Sequence, residues 1–144
     1  MYPVMLDLTR KKVVIIGGGR IASRKVRGLA GEGADVTVIA PEIDDTIQSA
    51  GVRIIQERFD HDLSAYDMIF IATDDPEVNR RVMLCVLPHQ LVNDCTHKQN
   101  SNFFNMASFR VDEARIMIST EGKSPERSKA LKHQIQSWLS DDMK

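Results

Sequence analysis

Apolar and polar positions follow a regular rhythm along the first two-thirds of the chain. Short continuous runs of β-branched and aromatic residues, which suit strands buried on both faces, are separated by stretches of helical periodicity. The predicted strands span residues 12–16, 35–40, 52–56, 68–72 and 90–95, and the predicted helices span residues 20–30, 44–50 and 76–87. Because strands that alternate with helices form βαβ units, we predict an α/β fold with a doubly wound parallel sheet.

The rhythm changes after about residue 103. Residues 103–111 and 114–120 predict two strands, and Ser124-Pro125 begins a helix that runs to about Leu139. Four apolar residues of that helix form a stripe at helical spacing, namely Leu131, Ile135, Trp138 and Leu139. The stripe can pack on its own domain or across a dimer, and the first domain already has a complete set of helices. We therefore expect residues 108–144 to form a small α+β dimerisation segment, a strand plus a helix.

A glycine-rich turn joins the first predicted strand to the first predicted helix. Residues 17–22 fit the pattern G-x-G-x-x-G/A, and their place between an apolar strand and a helix makes the match credible. Gly17 permits the tight turn, Gly19 lets the backbone approach a pyrophosphate, and Ala22 allows close helix–strand contact. Free N–H groups and the positive end of the helix then face the phosphates. The sequence therefore predicts a Rossmann-type domain over residues 1–107 that binds a dinucleotide.

The end of the second predicted strand leaves the type of dinucleotide open. An NAD site usually carries an acid there to bond the ribose hydroxyls, but this chain has Ala40, followed by Pro41 and Glu42. No Arg or Lys stands there to bind the 2′-phosphate of NADP. Glu42 is either the ribose-binding carboxylate or a solvated loop acid, and the residues alone do not choose between NAD and NADP.

Composition and charge narrow the functional class. The chain has 144 residues, of which 42% are hydrophobic and 27% are charged, as in an ordinary globular domain. A net charge of −1 does not favour binding to nucleic acid or to an anionic membrane surface. No apolar run, residues 13–16 included, is long enough to span a bilayer. The N-terminus lacks a signal-peptide pattern, and Cys85 and Cys95 have no metal-type spacing. We therefore expect a cytoplasmic protein with reduced thiols and no dedicated metal site.

Five segments of the chain read GGGxxAxRK at residues 17–25, GAxVTVxAP at 33–41, ATDDPEVN at 72–79, VN at 92–93 and ISTxGxSP at 118–125. Together these segments resemble the precorrin-2 dehydrogenases of sirohaem synthesis, which form the N-terminal part of sirohaem synthases. The match runs in order from Tyr2-Pro3 to the end of the chain. Ala40-Pro41, unusual after the second strand of a generic dinucleotide site, is typical of this family.

The resemblance implies an NAD-dependent oxidation of precorrin-2 to sirohydrochlorin, to which some members add the insertion of Fe²⁺. It also implies a homodimer with the active site near the dimer cleft. The implied cofactor contacts are Gly17, Gly19, Arg20 and Ile21 on the turn, Pro41 and Glu42 after the second strand, and Thr73 and Asp74 after the fourth. The candidate substrate contacts are Asn93, Ser119, Thr120 and Lys123, since a tetrapyrrole rich in carboxylates needs cations and hydroxyls around it. Ser119 and Thr120 can alternatively just close their strand.

The chain departs from the family in two places. Members typically continue past the Ser-Pro helix into a small helical domain, whereas this sequence ends at Lys144. The family also carries its general base in the pattern Asn-x-x-Asp, and here Thr96 stands at the position of the acid. In an extended strand, Asp94 and Thr96 would point the same way, about 7 Å apart.

The catalytic candidates are therefore Asp94, Thr96 and His97, whose imidazole can transfer protons near neutral pH. Alternatively, Asp94 is a solvated or capping acid and His97 is a surface residue. The replaced acid and the short chain also fit a non-catalytic module that binds NAD or a tetrapyrrole. We expect a dehydrogenase, and the binding module is the alternative.

Overall fold

The computed structural model describes residues 1–142, so residues 143–144 of the expected dimerisation segment lie outside the described part of the chain. The strands in this part are β1 (Lys12–Ile16), β2 (Asp35–Ile39), β3 (Arg53–Ile55), β4 (Met68–Ile71), β5 (Leu91–Asp94), β6 (Ala107–Val111) and β7 (Ala114–Ile118). The helices are α1 (Arg20–Leu29), α2 (Asp45–Gln48), α3 (Pro76–Cys85) and α4 (Pro125–Asp142), with a short 3-10 helix at Lys98–Asn100. Within this part, no helix combines the length and the apolar character needed to cross a membrane.

Strands β1 to β5 form one sheet in the order β3-β2-β1-β4-β5, and every neighbouring pair is parallel. The central strand β1 is apolar at four consecutive positions, and the side chains of Val13 to Ile16 are buried. Such a strand needs cover on both faces, which the crossover helices of a parallel sheet provide. The predicted doubly wound α/β fold is confirmed.

Side chains of β1 alternate between two apolar clusters because successive strand residues point to opposite faces. Val13 and Ile15 pack in the cluster that contains Val26 of α1, whereas Val14 and Ile16 pack in the cluster that contains Val82 of α3. Helices α1 and α3 therefore cover opposite faces of the sheet. Because β1 has β2 on one side and β4 on the other, the chain winds away from β1 in both directions, and a crevice opens beyond the carboxyl ends of β1 and β4.

The chain divides into two compact units. The Rossmann unit contains Met5–Phe103, and the hairpin unit contains Met1–Val4 together with the residues from Phe104 onwards. In the hairpin unit, β6 and β7 pair antiparallel and α4 packs against them, with Phe109 of β6 buried. This division keeps the hairpin whole, whereas the boundary expected from the sequence at 107/108 falls inside β6.

Candidate cofactor and catalytic site

A cavity of about 790 Å³ opens at the carboxyl edge of the parallel sheet, and its walls belong to the Rossmann unit. The sequence-predicted cofactor contacts Gly17, Gly19, Arg20, Ile21, Pro41, Glu42, Thr73 and Asp74 all line it. They come from the loops after β1, β2 and β4, which the parallel sheet brings to one edge. The structure thus gathers into one cavity residues that span 58 positions of the sequence.

Gly17 occupies a backbone position that excludes any side chain. Its φ of +119° lies in the region that favours glycine, and a Cβ there would overlap the carbonyl oxygen of Ala72 at the end of β4. Its N–H also donates to the carbonyl of Ile39 at 2.9 Å. The turn after β1 therefore packs against the carboxyl ends of both neighbouring strands, β2 and β4.

Gly18 has a role that the sequence reasoning did not assign. A Cβ at this position would overlap the carbonyl oxygen of Glu42, and the Gly18 carbonyl accepts a hydrogen bond from the N–H of Asp44 at 2.8 Å. The loop after β2 therefore lies directly against the glycine turn. The signal in the sequence was a glycine at the middle position of G-x-G, where the dinucleotide pattern allows any residue.

Gly19 faces open space. A Cβ built on it would meet no atom within 4 Å, and the residue forms the N-cap of α1 in an extended conformation without a side-chain cap. The first turn of α1 also lacks an acidic residue, whereas α2 and α3 begin at the capping carboxylates of Asp44 and Asp75. An uncapped helix start bordering the cavity suits a phosphate anion. The residues present therefore fit the pyrophosphate of a dinucleotide.

The loop after β2 supplies acids at the same cavity. Hydrogen bonds from the hydroxyl and, to a smaller extent, the N–H of Thr46 hold the pKa of Asp44 below its ordinary value. The Asp44 carboxylate is therefore already used to cap α2. Glu42 is exposed and lines the cavity, so its carboxylate is available to ribose hydroxyls. Arg58, which follows β3, also lines the cavity, although sequence reasoning placed no cation there.

Thr73 and Thr96 are linked by a buried amide that sequence reasoning missed. Asn79 of α3 is 4% exposed, and its Nδ2 donates to the carbonyl of Thr73 at 3.1 Å and to Oγ1 of Thr96 at 3.1 Å. Its signals in the sequence are its position one helical turn after the capping residue Asp75 and its place at the end of the segment ATDDPEVN. This link connects the loop after β4 to the turn after β5.

Asp94 lies at the centre of the turn after β5, which we call the β5 turn (residues 94–97). Its side chain is 0% exposed, and Oδ1 accepts from the N–H and hydroxyl of Thr96 and from the N–H of His97 at 2.7 to 3.0 Å. Oδ2 accepts from Nδ2 of Asn100 at 2.8 Å. Burial raises the pKa of Asp94, but these hydrogen bonds outweigh burial and leave the pKa below its ordinary value. Asp94 is thus an ionised acid that caps its own turn.

The extended geometry expected for Asp94 and Thr96 was wrong. The chain does not stay extended over this pair, and Oδ1 of Asp94 and Oγ1 of Thr96 meet at 2.7 Å. Strand β5 ends at Asp94, and the chain then bends because the aspartate side chain binds backbone N–H groups two and three residues ahead. Oγ1 of Thr96 also lies 2.9 Å from Nδ1 of His97, so the three catalytic candidates are in direct contact.

Asn93, a predicted substrate contact, bonds to the protein on both sides of its amide. Oδ1 accepts from Nζ of Lys25 at 2.9 Å, and Nδ2 donates to the carbonyl of Phe103 at 3.0 Å. The Lys25 ammonium lies 4.7 Å from the ring centre of Phe70, and burial lowers its pKa. Burial likewise raises the pKa of the Cys95 thiol. This group of side chains packs α1 against β4 and β5.

The other predicted substrate contacts, Ser119, Thr120 and Lys123, lie together in the hairpin unit just before α4. Oγ1 of Thr120 donates to the Ser124 carbonyl at 2.8 Å, accepts from the Ser124 N–H at 3.1 Å and lies 3.0 Å from Oγ of Ser128. Oγ of Ser119 accepts from the N–H of Glu121 at 3.0 Å. Both hydroxyls therefore organise the start of α4, while Lys123 is exposed.

Among the described residues, no group of three or more His, Cys, Asp or Glu side chains is arranged to hold a metal ion. The site thus consists of the cavity and the β5 turn beside it. Thr96 belongs to both, because it lines the cavity and bonds to Asp94.

The parallel sheet, the glycine turn and the uncapped start of α1 define a dinucleotide-binding domain. In agreement, the family model NAD_binding_7, described as NAD(P)-binding, matches residues 4–107. The chain is 35% identical over 142 residues to the precorrin-2 dehydrogenase of Priestia megaterium, a match that covers 95% of this chain and 70% of that protein. It is 33% identical over 149 residues to the precorrin-2 dehydrogenase of Bacillus subtilis (strain 168), covering 99% of this chain and 91% of that protein.

A solved structure of SirC, a precorrin-2 dehydrogenase, is similar to this fold with a TM-score of 0.86 at 34% identity, covering 95% of this chain and 70% of that one. The chain belongs to the precorrin-2 dehydrogenase family, which confirms the resemblance seen in its motifs.

Proposed function

We propose that this chain is an NAD-dependent dehydrogenase that oxidises precorrin-2 to sirohydrochlorin in sirohaem synthesis. One observation carries the proposal: the cavity that holds the glycine turn is also lined by Thr96, the residue at the position of the family's acid. The cofactor cavity and the β5 turn therefore adjoin. A dehydrogenase needs this arrangement, because the hydride acceptor and the proton acceptor must both reach one substrate.

The residues around the cavity divide the binding of the dinucleotide among them. The open face of Gly19 and the uncapped N–H groups of α1 would hold the pyrophosphate, and Glu42 would bond ribose hydroxyls. Thr73 and Asp74 line the cavity after β4. When bound, NAD supplies the acceptor for the hydride that leaves the substrate.

The β5 turn supplies the groups that manage the proton. Removing two hydrogens from precorrin-2 releases one as a hydride and the other as a proton, which the protein must accept. Asp94, Thr96 and His97 are the candidates, and they form one hydrogen-bonded group beside the cavity. The hydroxyl of Thr96 is too weakly basic to take a proton near neutral pH, so its part is to connect the other two.

The substrate carboxylates need cations, and Lys123 is the exposed cation among the predicted substrate contacts. Asn93 contributes by holding Lys25 in place, since its amide already bonds to the protein on both sides. Ser119 and Thr120 shape the segment that presents Lys123. We expect the Lys123→Ala variant to bind the tetrapyrrole more weakly.

The proposal includes a homodimer formed through the hairpin unit. Trp138 of α4 is 63% exposed and Met117 of β7 is 39% exposed, and these are the apolar side chains that a partner would cover. Sedimentation of the purified chain should give twice the monomer mass, and Trp138→Glu should shift it towards monomer. A cytoplasmic location also belongs to this proposal, because Cys85 is an exposed free thiol that a reducing compartment preserves.

The test mixes the purified chain with precorrin-2 and NAD and follows the absorbance of sirohydrochlorin and NADH together. We expect one NADH for each sirohydrochlorin, and a repeat with NADP measures the preference between the two cofactors. A repeat with Fe²⁺ asks whether metal insertion follows. NAD binding by calorimetry without any spectral change would instead support the non-catalytic binding module.

A further inference from the structure

The hydrogen bonds of the β5 turn determine which atom can accept the proton. We infer that Nε2 of His97 takes the proton from the substrate, and that Asn79 is a positioning residue that holds His97 for this purpose through Thr96. The inference rests on the proposed function and assigns roles within it.

The orientation of the Asn79 amide is set by the backbone of the loop after β4. Nδ2 donates to the Thr73 carbonyl at 3.1 Å, and rotating the amide by half a turn would place its oxygen against that carbonyl oxygen, where two acceptors repel. In the observed orientation, Oδ1 of Asn79 is buried without a hydrogen-bond partner among the described residues. The two bonds made by Nδ2 hold the amide in place despite this cost, so Asn79 presents an N–H to Thr96.

Thr96 has one hydroxyl hydrogen and three neighbours. Oγ1 lies 3.1 Å from Nδ2 of Asn79, 2.7 Å from Oδ1 of Asp94 and 2.9 Å from Nδ1 of His97. The amide N–H of Asn79 can only donate, and the ionised carboxylate of Asp94 can only accept. The hydroxyl hydrogen therefore goes to Asp94, and the second lone pair of Oγ1 is left for His97.

His97 must consequently donate from Nδ1. A neutral imidazole carries a single N–H, so placing it on Nδ1 leaves Nε2 with a free lone pair. The His97 side chain is 52% exposed, whereas the Asp94 side chain is 0% exposed and bonded to four donor groups. Of the two basic groups in the turn, only His97 is accessible to a substrate.

The resulting step balances. Nε2 forms a bond to the substrate hydrogen as that hydrogen leaves its electron pair in the substrate, and the other hydrogen departs as the hydride of the dehydrogenation. The imidazolium then carries an N–H at both nitrogens and returns the extra proton to water on its exposed side. The aspartate of the family's Asn-x-x-Asp pattern is replaced by Thr96, and the residue that follows takes over its chemistry.

Kinetics of two variants separate the roles of His97 and Asp94. His97→Gln should lower kcat by about 100-fold or more, the range that loss of a general base gives. Asp94→Asn keeps an acceptor oxygen for Thr96, so its kcat should fall less than the kcat of His97→Gln. The reverse order, with Asp94→Asn inactive and His97→Gln active, would overturn the inference.

A spectroscopic measurement tests the positioning without any turnover. In protein labelled with ¹⁵N-histidine, the His97 signal, assigned by its loss in His97→Gln, should show Nδ1 protonated and Nε2 unprotonated when the ring is neutral. Thr96→Val and Asn79→Leu should increase the Nε2–H form, while the matched control Thr96→Ser, which keeps the hydroxyl, should resemble the unmodified protein. Thr96 is exposed, so Thr96→Val provides the answer even if Asn79→Leu does not fold.

The two readouts also distinguish this inference from the proposed function. If His97 is protonated on Nδ1 but precorrin-2 is not oxidised, the hydrogen-bonded network is supported and the proposed dehydrogenase function is contradicted. If the chain is active but His97 is protonated on Nε2, the dehydrogenase function is supported and the inference about His97 is contradicted. The same holds if Thr96→Val leaves the tautomer of His97 unchanged in an active chain.

Discussion

The glycine turn and the β5 turn end two strands of the same sheet, but they are built in opposite ways. At the glycine turn, residues 17–19 contribute backbone alone, and Gly17 and Gly18 are positions where a Cβ would overlap a carbonyl oxygen. At the β5 turn, the arrangement depends on side chains: a buried carboxylate, a hydroxyl and an imidazole, with an amide contributed by α3. The first site is defined by the absence of side chains and the second by their hydrogen bonds.

The family resemblance covers the glycine turn, and it places an acid where this chain has Thr96. A steric requirement for glycine has no substitute, because every other residue adds a Cβ. A proton-transfer site needs only a base held at the right place, and a hydrogen-bonded network can hold a base from a neighbouring position. Under the proposed function, Thr96 in the place of an acid is therefore compatible with activity, whereas we expect a side chain at Gly17 to abolish it.

The largest effect should come from breaking the glycine turn. Gly17→Ala places a side chain at a φ of +119° and against the Ala72 carbonyl, so we expect it to destabilise the chain by about 3 kcal/mol or more. Gly19→Ala is the matched control, because its Cβ meets open space and stability should change by less than about 1 kcal/mol. Gly19→Ala should nevertheless weaken NAD binding about tenfold or more, since the Cβ intrudes where the pyrophosphate approaches.

Thermal unfolding and calorimetry with NAD measure the two effects separately. Equal losses of stability in both variants would contradict the steric account of Gly17. Unchanged NAD affinity in Gly19→Ala would show that the pyrophosphate does not lie against this residue.

A smaller effect on stability is expected at the β5 turn, where the charge of Asp94 makes the free energy of unfolding depend on pH. The folded state lowers the pKa of Asp94, so its contribution to stability is present above the ordinary carboxyl pKa and is lost as the pH falls through the folded value. Asp94→Asn should therefore cost about 1–3 kcal/mol at neutral pH, and the difference from the unmodified chain should shrink as the solution is acidified. Urea unfolding at a series of pH values measures this difference.

Asp112→Asn is the control for that series, because Asp112 is exposed at the turn between β6 and β7. Its unfolding curves should follow those of the unmodified chain at every pH. If the difference caused by Asp94→Asn stayed constant down to the acid limit, the carboxylate charge would not be what holds the β5 turn.

The smallest effect is expected in the hairpin unit, where Thr120 also organises a turn by its hydroxyl. Thr120→Val removes bonds to Ser124 and should destabilise the chain by about 1 kcal/mol while leaving the KM for precorrin-2 unchanged. Lys123→Ala is the counterpart, with a raised KM and unchanged stability. A raised KM in Thr120→Val at unchanged stability would return Thr120 to the substrate contacts.

Much of the cofactor half of the molecule follows from the sequence by itself. The bounds of β1 are as predicted and those of β2 and β4 differ by a single residue, because continuous apolar runs between polar breaks leave little freedom for a buried strand. The capping Asp75 and the glycine turn are equally local, since a cap and a turn are formed by residues adjacent in the chain. The family resemblance is carried by the same kind of short segment, so it too is visible in the sequence.

The tertiary structure alone decided the contacts between residues far apart in sequence. Asn79 bonds to Thr96 across 17 positions and Lys25 bonds to Asn93 across 68, and neither pair has a local pattern. Such partners meet because the sheet order places β4 beside β5, with α1 and α3 on opposite faces of the sheet, and strand order is fixed by packing of the whole domain rather than by any one segment. The glycine turn could therefore be predicted from the sequence. The tautomer inferred for His97 could not, because it depends on the distant residue Asn79.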